Sequence, residues 1–101
     1  MANPQSALEK TIPLPKEIKE GWGITNSKDE LIISDGSDQL FFIDPHAEDF
    51  KLKRTIRVKD LNNIYYTELN ELEYAYDYIF SNIWYSDIVL IINPQNGEVI
   101  R

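Results

Sequence analysis

An all-β fold is what this sequence of 101 residues predicts, on three observations. Apolar residues recur at every second position through "ELIISD", "QLFFID", "KLKRTIRV", "NELEYAY" and "YIFSNIW", the period of a strand rather than of a helix. Between those runs stand "SDGSD", "DPHAED", "VKDLNN", "YSD" and "NPQNGE", clusters of Asp, Asn, Gly and Pro that favour tight turns. The chain also repeats itself. With Pro45 laid on Pro94, Leu40 to Ile43 falls on Val89 to Ile92 and Asp44 on Asn93, an offset of 49 residues.

Taken in order, the first element is "ALEKTIPL", which matches "KLKRTIRV": Leu8 on Leu52, Lys10 on Arg54, Thr11 on Thr55 and Ile12 on Ile56. Pro13 and Pro15 argue against a helix there, since each removes a donor and restricts its predecessor. Residues 1–20 are therefore expected to hold the outer strand of an incomplete preceding unit plus a linker. Residues 21–60 supply four short strands, "GWGIT", "ELIIS", "QLFFI" and "KLKRTIRV", and form a first complete unit. Residues 69–101 open a second unit with "NELEY" and reach "GEVIR" before its last strand. Four antiparallel strands repeating every 40 to 50 residues or so mark a β-propeller blade, which buries its faces against neighbours around a central axis. The expected architecture is thus about two four-stranded antiparallel blades of a partial β-propeller. Two blades cannot close a ring, so the further expectation is a chain cut from the middle of a longer protein, with the missing blades of the same propeller as partners.

Composition narrows the function. Lys and Arg number 10 against 17 Asp and Glu, for a net charge of −7, which opposes binding to nucleic acid or to an anionic membrane. There is no cysteine and one histidine, so neither a disulfide framework nor a Cys/His metal site is expected, and no cofactor is called for. The first residues lack the apolar core of a signal peptide, and no apolar stretch is long enough to span a bilayer.

Chemistry in a propeller gathers near its axis, where the first strand of each blade begins. Trp22 and Asn70 stand at those beginnings. Alternation in "NELEYAY" places Asn70, Leu72, Tyr74 and Tyr76 on one face, with Glu71, Glu73 and Ala75 on the other. In "YIFSNIW" it aligns Tyr78, Phe80, Asn82 and Trp84, and antiparallel pairing then brings Trp84 back beside Asn70. Structural roles compete with functional ones: Trp22 also suits a blade junction, Asn70 a turn cap, and Trp84 a rim. Glu71 and Glu73 read as a solvated strand face, His46 as a turn residue, and "SDGSD" as a hairpin rather than a calcium loop.

In this order and spacing, "EGWGIT", "SDG", "LNELEY" and "NIWYSD" resemble the plant and bacterial type of glutamine cyclotransferase, the glutaminyl-peptide cyclotransferases, over nearly the whole chain. The resemblance implies a five-bladed β-propeller that converts the N-terminal glutamine of a peptide or protein to pyroglutamate, releasing ammonia without a metal. It implies aromatic pocket walls at Trp22 and Trp84 and a polar substrate contact at Asn70. Members of this family place the proton-shuttling glutamate in a "GEG" segment of the preceding blade, absent here, so no catalytic residue is expected in this chain and the chain alone is expected to be inactive. Such enzymes are often secreted or periplasmic. The alternative is a non-catalytic propeller that uses its surface to bind proteins.

Overall fold

Seven strands account for the regular structure of the computed structural model, which describes residues 15–18, 20–46 and 51–100. They are β1 (Gly23–Asn26), β2 (Leu31–Ser34), β3 (Gln39–Ile43), β4 (Leu52–Arg57), β5 (Leu69–Ala75), β6 (Tyr78–Ile83) and β7 (Val89–Ile92). The first four make one antiparallel sheet in sequence order and the last three make a second. No helix occurs among the described residues. The strand expected at Ala7 to Leu14 lies outside them.

The second sheet has three strands where the first has four. After β7, the turn around Pro94 to Gly97 brings Val99 into an antiparallel bridge with Ile92, and the Ile100 N–H donates to the Ile91 carbonyl at 2.7 Å. The turns that follow β3 and β7 are built alike. The Asp44 carboxylate accepts the His46 N–H at 2.8 Å, and the Asn93 carboxamide oxygen accepts the Gln95 N–H at 2.8 Å, both at the 49-residue offset.

That offset holds for the third strands but not for the first two. Ile33 pairs with Phe41 in one sheet and Ser81 with Leu90 in the other, so Phe41 and Leu90 are 49 apart while Ile33 and Ser81 are 48 apart. The β2–β3 connection between Ser34 and Leu40 has five residues, 35–39, and the β6–β7 connection between Asn82 and Val89 has six, 83–88. One extra residue in that loop shifts the ungapped repeat.

The sheets stack face to face, and the alternation of each strand decides what each face meets. Leu40 and Phe42 of β3, with Ile32, Ile56 and Val58, meet Leu69, Leu72, Ile79, Leu90 and Ile92 in the main core. On the far side of the first sheet, Ile33, Phe41 and Ile43 pack with Ile18. Strands β2 and β3 are buried on both faces, which is why "LIIS" and "LFFI" read as nearly unbroken apolar runs. The stacking is directional: the Leu40 and Phe42 face of one unit meets the Leu90 and Ile92 face of the next, and those are opposite faces of equivalent strands. Interfaces of this kind can repeat from unit to unit around an axis.

Arg54 ties the stack together. Its guanidinium lies 3.7 Å from the centre of the Phe42 ring, donates to the Pro94 carbonyl at 2.9 Å, and reaches Glu30 at 3.4 Å. The crossing segment is fixed by Asp60, whose carboxylate accepts the N–H groups of Asn62 and Ile64 and the hydroxyl of Tyr66.

Two face assignments are corrected by the structure. Tyr76 is not on a strand face. With Asp77 it forms the β5–β6 turn, both at positive φ (54° and 68°), the geometry that matches strand twist in a two-residue hairpin. Asn70 is out of phase with Leu72, because a bulge between Leu69 and Leu72 sets Asn70 and Glu71 against Asn82 alone. Leu69 and Leu72, three apart, are therefore both buried.

Candidate functional site

Trp22, Asn70 and Trp84, separated by 48 and 14 residues in the chain, line a single recess together with Glu20. Its volume is about 200 Å³. The two indoles face each other edge to face, centroids 6.1 Å apart and planes at 68°, an arrangement favoured by the ring quadrupoles. Trp22 comes from the start of β1 in one sheet, while Asn70 and Trp84 come from the start of β5 and the end of β6 in the other.

Backbone contacts within and between the sheets set each wall. The Trp22 N–H donates to the Ser34 carbonyl at 3.0 Å, continuing the β1–β2 ladder by one residue. Beneath its ring lies Gly36 of "SDG". A Cβ there would sit 2.6 Å from Trp22 Cε2 and Cζ2, and φ is +86°, so this position needs glycine twice over. The Gly36 carbonyl accepts the Glu68 N–H at 2.8 Å, and the Glu68 carbonyl accepts the Trp84 N–H at 2.9 Å. This relay passes from under one indole to the backbone of the other.

Asn70 is held from behind. Its carbonyl accepts the hydroxyl of the fully buried Ser34 at 2.6 Å. Gly23 lets the sheets approach there, for a Cβ on it would lie 2.0 Å from the same carbonyl oxygen. On the other side the Asn82 side-chain oxygen accepts the Glu71 N–H at 2.7 Å, closing the bulge. Among the described residues the Asn70 side chain makes no hydrogen bond. That carboxamide caps no turn among the described residues.

The bulge has no signal in the sequence, and Glu20 in "EGWGIT" and Ser34 and Gly36 in "SDG" stand in motifs that do not disclose their places around the recess. Gly36 left a trace as the glycine of "SDG", but its partner Trp22 is fourteen residues away. Glu71 and Glu73 are exposed strand residues, and His46 lies in an exposed turn. Among those described, no cluster of three or more His, Cys, Asp or Glu side chains forms.

Antiparallel sheets stacked in one direction, with an aromatic recess where their first strands begin, define successive blades of a propeller-type fold. The chain belongs to the glutamine cyclotransferase family, whose model matches residues 2–101. It is similar to the glutaminyl-peptide cyclotransferase of Arabidopsis thaliana, with 32% identity over 93 residues covering 92% of this chain and 28% of that protein. It also resembles the crystal structure of the glutaminyl cyclase of Myxococcus xanthus, with a TM-score of 0.81 and 36% identity over 91% of this chain and 37% of that one. The chain thus spans about a third of the length of these two relatives.

Proposed function

We propose that these blades belong to an acyltransferase that converts the N-terminal glutamine of peptides to pyroglutamate, with Trp22, Asn70 and Trp84 binding the substrate. The single observation carrying this reading is the convergence of those three residues on one recess, with the Asn70 side chain unengaged among the described residues. Family membership and the two named relatives support it.

The reaction is intramolecular. The neutral α-amine attacks Cδ of its own side-chain carboxamide, an N–Cδ bond closes the lactam, the former Cδ–N bond breaks, and one proton moves from the amine to the departing ammonia. Bringing the reacting atoms within about 3 to 3.5 Å in the curled conformer supplies much of the rate. Flat indole walls favour that conformer and exclude water, and the Asn70 carboxamide fixes the glutamine amide. The proton-shuttling carboxylate would come from a preceding blade, as the resemblance implies, so the 101 residues alone turn over no substrate.

The test is ammonia release from Gln-peptides. In the complete protein, Asn70→Ala and Trp84→Ala are each expected to lower kcat/KM by about a hundredfold while thermal unfolding stays near that of the parent. Unchanged turnover rejects the pocket assignment. Ammonia release by the 101-residue chain rejects its dependence on flanking blades.

A further inference from the structure

One peptide group at the recess is held at both of its polar ends by side chains. The Asn70 carbonyl accepts the Ser34 hydroxyl at 2.6 Å, and the Glu71 N–H, the other end of the same planar unit, donates to the Asn82 side-chain oxygen at 2.7 Å. The two holders come from different sheets, Ser34 from β2 and Asn82 from β6. Backbone ladders normally supply such bonds. Here the ladder is interrupted, since Leu69 pairs with Ile83 and Leu72 with Ser81, leaving two residues of β5 opposite Asn82 alone. The Asn82 side chain stands in for the missing backbone acceptor, and the Glu71 N–H is thereby satisfied.

This bulge decides where Asn70 points. In a regular strand, alternation would give Asn70 the face of Leu72, which is buried in the main core. With the bulge in place, Asn70 lines the recess with Trp22 and Trp84 instead. Re-aiming one side chain is what bulges beside functional sites do. Asn82 is itself only partly buried, lies outside the core cluster and does not line the recess. Its contact with β5 therefore bears on the direction of Asn70 more than on packing.

We propose that Asn82 is a positioning residue: by completing the bulge it aims the Asn70 carboxamide at the glutamine side chain of the substrate, without touching the substrate itself. This inference rests on the glutaminyl-peptide reading above. Ser34 holds the same peptide group from the neighbouring sheet, so Asn82 supplies the half of the clamp that can be removed without opening the core.

Ammonia release from Gln-Ala amide by the complete protein tests this through a double-mutant cycle. Asn82→Ala is expected to lower kcat/KM about tenfold, short of the roughly hundredfold loss in Asn70→Ala, with thermal unfolding near that of the parent. Asn82→Asp, which keeps an oxygen to accept the Glu71 N–H, should recover most of that loss. Once the Asn70 carboxamide is gone, nothing is left for Asn82 to aim. Asn70→Ala combined with Asn82→Ala should therefore be no slower than Asn70→Ala alone. Unchanged turnover or loss of folding in Asn82→Ala, no recovery in Asn82→Asp, or losses that multiply in the double variant overturn the positioning role and leave the glutaminyl reading standing. A parent protein that releases no ammonia from Gln-peptides overturns that reading, and the positioning role with it.

Discussion

Strands β3 and β7 carry nearly the same apolar run, "LFFI" and "VLII", and meet different fates. Leu40 is fully buried, whereas Val89, 49 residues on, is 56% exposed. Phe42 is fully buried and its counterpart Ile91 only partly, while Ile43 and Ile92 are both fully buried. The strands themselves are not the cause. β3 lies in a sheet with packing on both faces, and β7 in a sheet packed on one. An apolar residue facing away from the partner sheet records the environment that its unit is built for, and burial depends on whether a neighbour is there.

The comparison breaks most clearly at equivalent positions. Phe42→Ala removes a fully buried ring under Arg54 and is expected to destabilise by about 3 to 5 kcal/mol in urea unfolding. Ile91→Ala should cost about 1 kcal/mol, because its side chain is already in partial contact with water. Equal losses would mean that the two sheets do not differ as described.

Next in size come changes where the sheets meet. Gly23→Ala places a methyl group against the Asn70 carbonyl and must push the sheets apart, at an expected cost of about 2 to 3 kcal/mol. Ser34→Ala removes the hydroxyl donated to that carbonyl and is expected to cost about 1 to 2 kcal/mol. Calorimetry of the two variants checks both values, and the glycine change should be the larger.

The smallest effect is one of pH, in the segment that crosses between the sheets. Hydrogen bonds from the Ile64 and Asn62 backbone and from the Tyr66 hydroxyl hold the Asp60 carboxyl below the ordinary Asp value, against the opposing effect of desolvation. A carboxyl depressed on folding stabilises the native state above its ordinary titration and loses that contribution as pH falls through the folded value. Asp60→Asn should therefore flatten the acid limb of the stability profile below about pH 4 and change its shape little near neutrality. An unaltered acid limb would show that this carboxylate is not a linked group.

The same contrast explains what could be read in advance. Period-two alternation and turn clusters sufficed for the strands, and the repeat located Trp22 and Asn70 at equivalent strand starts. Pairing geometry then returned Trp84 to Asn70. The missing features depend on backbone meeting backbone across the sheets. Nothing local in "LNELEY" announces a bulge that the Asn82 side chain completes, and nothing in "NIWYSD" announces a left-handed Tyr85. The one-residue shift of the repeat is likewise invisible until strand partners fix the register. Glu20 has no periodic signal at all, since it precedes the first strand.

The most direct measurement follows the two indole N–H resonances by NMR while a Gln-Ala amide is added. Because one ring comes from each sheet and both line the same recess, both signals should shift with a single dissociation constant, and Asn70→Ala should weaken both together. Movement of one indole without the other, or of neither, would contradict a binding site shared between the two sheets.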